Sequence, residues 1–201
     1  MGRSSLIGVL AIQGDFAAHA RALRCAGAVP VEIRRADDLS SVDGLILPGG
    51  ESTTILKFIE EEGFEGEILD FARAGKPIFG TCAGAIILAR EVYNPAQASL
   101  GLIDIAVERN AYGRQVDSFI AETDDAFDGG ALEAVFIRAP RIKELGQNVE
   151  VLARLNGEPV LVRQRRIVCS TFHPELTADD RVHRLFCEMV RSWNKTQFHG
   201  G

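Results

Sequence analysis

The sequence predicts an α/β fold: a mostly parallel sheet covered by helices on both faces, with an antiparallel extension formed by the second half of the chain. Three observations lead to it. Up to residue 91, short runs that are apolar at every position alternate with amphipathic segments, the pattern of parallel strands buried on both faces. Beyond residue 100, strand-like segments succeed one another with little helix between them, and Asn156-Gly157 is a hairpin signal. The chain then returns to one more apolar run and a helix with a single apolar stripe.

Each element has its own signal. Leu6 to Ile12 is an apolar run closed by Gln-Gly-Asp, and Phe16 to Ala26 carries Phe16, Ala20 and Leu23 at helical spacing. Val29 to Ile33 and Leu45 to Leu47 read as the next two strands, the second stopped by Pro48 and two glycines. Ser52 is placed to cap a helix running to Glu60, and Phe64 to Ala74 forms another that ends at Gly75. "KPIFG" is a short buried strand, followed by a helix from Ala83 to Glu91. Strands are then expected at Ile103 to Glu108, Val116 to Ala121, Ala134 to Ile137, Val149 to Leu155, Pro159 to Arg163 and Ile167 to Phe172. In the closing helix Val182, Leu185, Phe186, Met189, Val190 and Trp193 share one stripe, and the tail "KTQFHGG" has no periodicity and is expected to be mobile.

Composition narrows the classes further. A length of 201 residues suits a single domain, residues 1–201, since about 100 to 200 residues per domain is usual. With 46% hydrophobic and 25% charged residues the chain is of ordinary globular make-up rather than disordered or fibrous. A net charge of -6 offers no electrostatic attraction for nucleic acid or an anionic membrane, so neither is an expected partner. The apolar run after Arg3 is too short for a secretory or membrane-spanning segment, and Leu6 stands where N-myristoylation needs Ser or Thr. Cys25, Cys82, Cys169 and Cys187 are widely spaced without a CxxC pair, which argues against a zinc site or a disulfide framework and for a reduced, cytoplasmic setting.

One of these cysteines stands apart. Gly80-Thr81-Cys82-Ala83-Gly84 has the form G-x-C-x-G between a strand and a helix, the thiol counterpart of the nucleophile elbow. Small flanking residues let sheet and helix approach across such a sharp turn, and the free N–H groups of the helix start favour a thiolate. Taken alone, the motif leaves open a buried structural cysteine. A thiol nucleophile needs a base. His19 and His183 fall within helices and His199 in the tail, whereas His173 directly follows a buried strand, at the edge where a parallel sheet presents its functional loops. Pro174 stiffens the backbone beyond it, and Glu175 is placed to orient its imidazole. In "LPGGEST" two glycines between strand and helix expose backbone N–H groups, and Gly50 with Ala83 is the expected oxyanion pair.

Three motifs, "LPGGEST", "FGTCAG" and "FHPE", stand in the order and spacing of class I glutamine amidotransferase domains, which the sequence resembles. "IGVLAIQGD", "VERNAYGRQVDSF", "VFIRAP" and "STFHPELTADDRV" extend the resemblance, from Ile7 to Val182, to the glutaminase subunits of pyridoxal phosphate synthases. The resemblance implies a flavodoxin-like three-layer sandwich and hydrolysis of L-glutamine to glutamate and ammonia. It implies that the ammonia passes to a separate synthase subunit within a large hetero-oligomer. By position it makes Cys82, His173 and Glu175 the catalytic triad and Gly50, Glu51, Ser52, Arg109, Ile137 and Arg138 the glutamine-binding residues. Arg109 and Arg138 have the guanidinium chemistry to grip the substrate's α-carboxylate, and Gln13 in "QGD" is the expected contact with the synthase subunit. The chemistry requires no metal or organic cofactor. Two other readings of the same elbow are a small cysteine peptidase and a non-catalytic binding module or redox sensor in which Cys82 is oxidised rather than acylated.

Overall fold

The computed structural model describes residues 4–109 and 118–198. In chain order the first half comprises β1 (Leu6–Leu10), α1 (Phe16–Cys25), β2 (Val29–Ile33), β3 (Gly44–Leu47), α2 (Ser52–Glu61), α3 (Phe64–Arg73), β4 (Ile78–Thr81), α4 (Ala83–Leu88) and β5 (Ala89–Tyr93). The second half comprises β6 (Ile103–Glu108), β7 (Ser118–Glu122), β8 (Asp125–Ala126), β9 (Glu133–Ile137), β10 (Arg141–Leu145), β11 (Glu150–Leu155), β12 (Glu158–Gln164), β13 (Ile167–Ser170) and α5 (Arg181–Phe198). Short 3-10 turns lie at Ala36–Ser41 and Pro174–Leu176.

The central sheet runs β2-β1-β3-β4-β13-β12-β11-β8. Its first five strands are parallel and lie in the flavodoxin-like order 2-1-3-4-5, and β12, β11 and β8 continue it antiparallel. Alternation along each strand divides the core into two. Leu45, Leu47 and Ile78 face a cluster with Ile55, Ile59, Phe64 and Phe71 of α2 and α3. Ile46 and Phe79 face the opposite cluster with Leu23 of α1 and Phe186 and Val190 of α5. Every residue of β3 and β4 is buried, which is why these strands carry no polar alternation to read.

Local chemistry sets the helix starts. Asp15 caps α1 by accepting the Ala18 N–H at 3.1 Å. Glu51, and not Ser52, caps α2, its carboxylate accepting the N–H groups of Thr53 and Thr54. Ser52 is instead the first helical residue, buried, with its hydroxyl donating to Gln97 Oε1 at 2.9 Å.

The expected layout differs from the observed one in four places. The helix after Cys82 stops at Leu88 and the chain continues as β5, because the carbonyls of Leu88 and Ala89 accept N–H groups of Leu102 and Gly101 and Val92 is buried beside β6. β10, whose "RIKEL" is rich in charge, pairs antiparallel with β6. The antiparallel part is not all one extension: β10-β6-β5 and β7-β9 form two further small sheets. Residues 195–198, expected to be mobile, continue α5 as helix. Of the strand expected at Val116 to Ala121, residues 116 and 117 lie outside the described residues, as does His199.

A close backbone approach joins α4 to the sheet. A Cβ on Gly84 would fall 2.0 Å from the Leu47 carbonyl oxygen, and one on Gly80 2.6 Å from the Gly84 carbonyl carbon. Gly84→Ala therefore forces backbone against backbone, and we expect a loss of about 3 kcal/mol. For a chain of 201 residues that corresponds to a thermal midpoint lower by roughly 6–12 °C, measured by thermal denaturation.

Candidate active site

The C-terminal ends of β1, β3, β4 and β13 converge on one cavity, at the edge where parallel sheets present ligand-binding loops. β4 delivers Cys82. Its backbone sits at φ 49° and ψ -101°, a conformation that L-residues with a Cβ adopt only at an energetic cost, and the turn is held by the Cys82 N–H donating to Ser170 O at 2.9 Å. The thiol is nearly buried, 6% exposed, with Sγ 3.8 Å from the Ile137 carbonyl oxygen.

β13 delivers His173, whose N–H donates to Val135 O at 2.8 Å. Its ring packs so closely on Gly49 that a Cβ there would lie 2.4 Å from Cε1. Pro174 opens the 3-10 turn that brings Glu175 back, so that His173 Nδ1 donates to Glu175 Oε1 at 2.8 Å. With Nδ1–H committed to the carboxylate, the other ring nitrogen is left for the cavity side, where Cys82 stands beside the imidazole. Burial opposes a charge on the imidazole, but Cys82 and Glu175 outweigh it and push His173 up to about 10. Burial likewise disfavours the Glu175 carboxylate, yet the imidazoles of His19 and His173 hold it below the usual carboxylate range.

The cavity has a volume of about 280 Å³, of the order expected for a small ligand. Cys82 and His173 line it together with Gly50, Glu51, Ser52, Arg109, Ile137 and Arg138, so the six positions expected to bind substrate surround the thiol. Gly50 takes φ 150°, a backbone that favours glycine. Glu51 is fixed by its capping role; hydrogen bonding from the Thr53 and Thr54 side chains and N–H groups holds its carboxyl down to about 2. It also pairs with Arg109 at 3.2 Å, which anchors that guanidinium at the cavity wall. Arg138 sits at φ 44°.

Two expected residues stand slightly apart. Ala83 is buried, 1% exposed, and follows Cys82 without itself lining the cavity. Gln13 lies behind the Gly50 turn, its Oε1 accepting the Glu51 N–H at 3.3 Å. Gly14, Asp15, Ile86 and Leu176 also line the cavity without having been foreseen. Most of the "RNAYGRQVDSF" motif, residues 110–117, lies outside the described residues. A larger cavity, about 680 Å³, lies at the N-terminal ends of β4 and β13 and touches none of these groups. The other cysteines are unpaired: Cys169 and Cys187 are buried in the core and Cys25 is exposed.

His19 and His183, which the sequence places in helices, are both fully buried, His19 directly behind Glu175 and His183 behind His19. Their signal in the sequence is a histidine interrupting the core-facing stripe of an amphipathic helix, beside Ala20 and Leu23 in one case and Val182 and Phe186 in the other.

A raised imidazole pKa carries a pH dependence. Its contribution to stability is complete below the unfolded value near ~6.5 and is lost as the pH rises through the folded value of about 10. We expect NMR titration to show His173 protonated well above neutrality, and Cys82→Ala to lower its midpoint by removing the thiol partner. An unshifted midpoint in the variant would show that the two side chains do not interact.

Comparison with known proteins identifies the family. The model of the SNO glutamine amidotransferase family matches residues 9–192. The chain is 55% identical over 188 residues to the pyridoxal 5'-phosphate synthase subunit PdxT of Koribacter versatilis, covering 94% of this chain and 97% of that one. To PdxT of Thermotoga maritima it is 48% identical over 186 residues, covering 92% and 99%. A crystal structure of a glutamine amidotransferase superimposes with a TM-score of 0.87 at 49% identity, over 92% of this chain and 98% of that one. PurLQS from Thermotoga maritima, at 18% identity and a TM-score of 0.68 over 98% of this chain and all of the matched one, shares the fold. A thiol elbow facing a buried His–Glu pair on this sheet edge thus occurs in a chain that belongs to the SNO glutamine amidotransferase family.

Proposed function

We propose that this chain is the glutaminase subunit of a pyridoxal 5'-phosphate synthase: a single domain, residues 1–201, that hydrolyses L-glutamine and hands the ammonia to a separate synthase subunit. The observation that carries the reading is the convergence of Cys82 and His173 on one small cavity, with Glu175 bound to the imidazole, in a chain 55% identical to a synthase subunit over nearly its whole length.

The mechanism follows from the proton positions. The Cys82 sulfur adds to the side-chain amide carbon of glutamine, and the developing oxyanion is met by backbone N–H groups of Gly50 and Ala83. His173 gives its proton to the departing nitrogen, so ammonia leaves and a γ-glutamyl thioester is formed. The neutral imidazole then takes a proton from water, whose oxygen attacks the thioester; glutamate is released and sulfur and imidazolium are restored. Glu175 holds the ring in register through its bond to Nδ1. Arg109 and Arg138 face the α-carboxylate, while Glu51, Ser52 and Ile137 shape the amino-acid end of the cavity.

Ammonia released without an acceptor is lost, so turnover is coupled to the synthase subunit, with which the chain forms a hetero-oligomer. Gln13 is suited to transmit docking, because its side chain holds the Glu51 N–H beside the Gly50 turn. No described helix is long and apolar enough to cross a membrane, and a cytoplasmic location fits the reading.

Cys82→Ala, which keeps the Cβ that the turn already accommodates, is expected to fold and to lose glutaminase activity in the presence of the synthase subunit. In the unaltered chain a glutamine-derived electrophile should label Cys82 alone, since burial pushes Cys187 up to about 11 and Cys169 higher still and Cys25 lies outside the cavity. Retained turnover in Cys82→Ala would overturn the assignment. Gln13→Ala is expected to cut activation by the synthase subunit by about tenfold while changing the KM for glutamine little. An unchanged activation ratio would remove Gln13 from the coupling.

A further inference from the structure

The carboxylate that orients His173 is itself held from behind. Glu175 Oε1 accepts from His173, but Oε2 is buried, without a hydrogen bond of ordinary geometry, and the side-chain nitrogen it faces is His19 Nε2, 3.4 Å away. His19 Nε2 also lies 3.2 Å from Thr81 Oγ1, and His19 Nδ1 lies 3.0 Å from His183 Nε2. Phe79 packs edge-on against both imidazoles, with centroids 6.3 and 6.0 Å apart, and both histidines are fully buried. A polar chain of His183, His19, Glu175 and His173 therefore runs from the last helix through the first helix to the thiol.

Only one arrangement of protons suits it. If His19 carries its proton on Nε2, that N–H has both Thr81 Oγ1, at 3.2 Å, and Glu175 Oε2, at 3.4 Å, within reach, and His19 Nδ1 accepts from the Nε2–H of His183. The sole unpartnered atom is then the lone pair of His183 Nδ1. The opposite tautomers would set a lone pair of His19 against the carboxylate and leave an N–H of His183 orphaned in the core, a costlier outcome. The charged and titratable groups facing His19 are Glu175, His173, His183 and, at the start of its own helix, Asp15. Burial keeps His19 below its ordinary value and His183 down at about 3, so both act as neutral dipoles aimed at the carboxylate.

We propose that His19, protonated on Nε2 and backed by His183, is a positioning residue that fixes the outer oxygen of Glu175 and thereby the aim of His173 at Cys82. The proposal rests on the glutaminase reading for its kinetic consequence but not for its geometry. His19 touches neither the cavity nor the thiol, so its removal should lower kcat and spare substrate binding.

The test compares His19→Leu with His19→Gln, whose amide places a donor where Nε2 stood, in glutaminase assays of the complex with the synthase subunit. His19→Leu should lower kcat by about 10- to 100-fold, the usual effect of losing an orienting partner, with KM within about twofold of the unaltered protein. His19→Gln should recover most of the lost kcat. Unchanged kcat in His19→Leu, or a His19→Gln as slow as His19→Leu, would overturn the proposal. Nitrogen-15 NMR of the unaltered full-length chain decides the same point without a variant: a neutral His19 with its proton on Nε2 is expected, and a proton on Nδ1 or on both nitrogens would overturn it. An unaltered complex without glutaminase activity would sink the glutaminase reading, while the NMR result would still judge the placement of His19.

Discussion

Everything at this site depends on how closely α4 approaches the sheet. Gly80 and Gly84 let the helix begin against the Leu47 carbonyl, and the chain enters that contact through a positive φ at Cys82. The strained turn sets the thiol in the cavity wall, beside the Ile137 carbonyl. Strain of this kind persists only where the surroundings over-determine it. Here they do: β4 is flanked by parallel strands on both sides, and the Cys82 N–H is tied to Ser170.

The same hydrogen bond connects the nucleophile to its base. Ser170 ends β13, and three residues further on the chain presents His173 over Gly49, another position where only a glycine leaves room. The carboxylate of Glu175 is costly to bury, and it is offset by two imidazoles rather than by a guanidinium or ammonium. Neutral or shared-proton partners orient a carboxylate without neutralising it, and this leaves its charge available to support a protonated His173.

Much of the fold was legible because parallel strands buried on both faces are apolar along most of their length, as β1, β3, β4 and β13 are apart from Thr81 and Ser170 at the ends of the last two. β5 and β10 were not, since each owes its conformation to pairing with β6 and carries charged residues on its exposed side. The cap of α2 shows the same limit on a smaller scale. Ser52 has the better capping propensity, but Glu51 takes the role because Ser52 is drawn under the helix to meet Gln97, 45 residues away. The cavity residues were found through motifs; Gly14, Asp15, Ile86 and Leu176, which carry no chemical signature, became visible only where the strand ends meet.

By itself the sequence determined which chemistry is present and on which short segments it lies: a thiol between glycines, a histidine two residues before a glutamate, and a glycine pair ahead of a helix. These are local features, encoded within a few residues by turn geometry and side-chain type. Tertiary structure alone decided that His19 and His183, 164 residues apart, meet behind Glu175, and that Arg109 is anchored by Glu51 at the cavity wall. Helical periodicity reports that a residue faces the core but not what it meets there, because the partner is supplied by a different element brought alongside through the packing of the whole sheet.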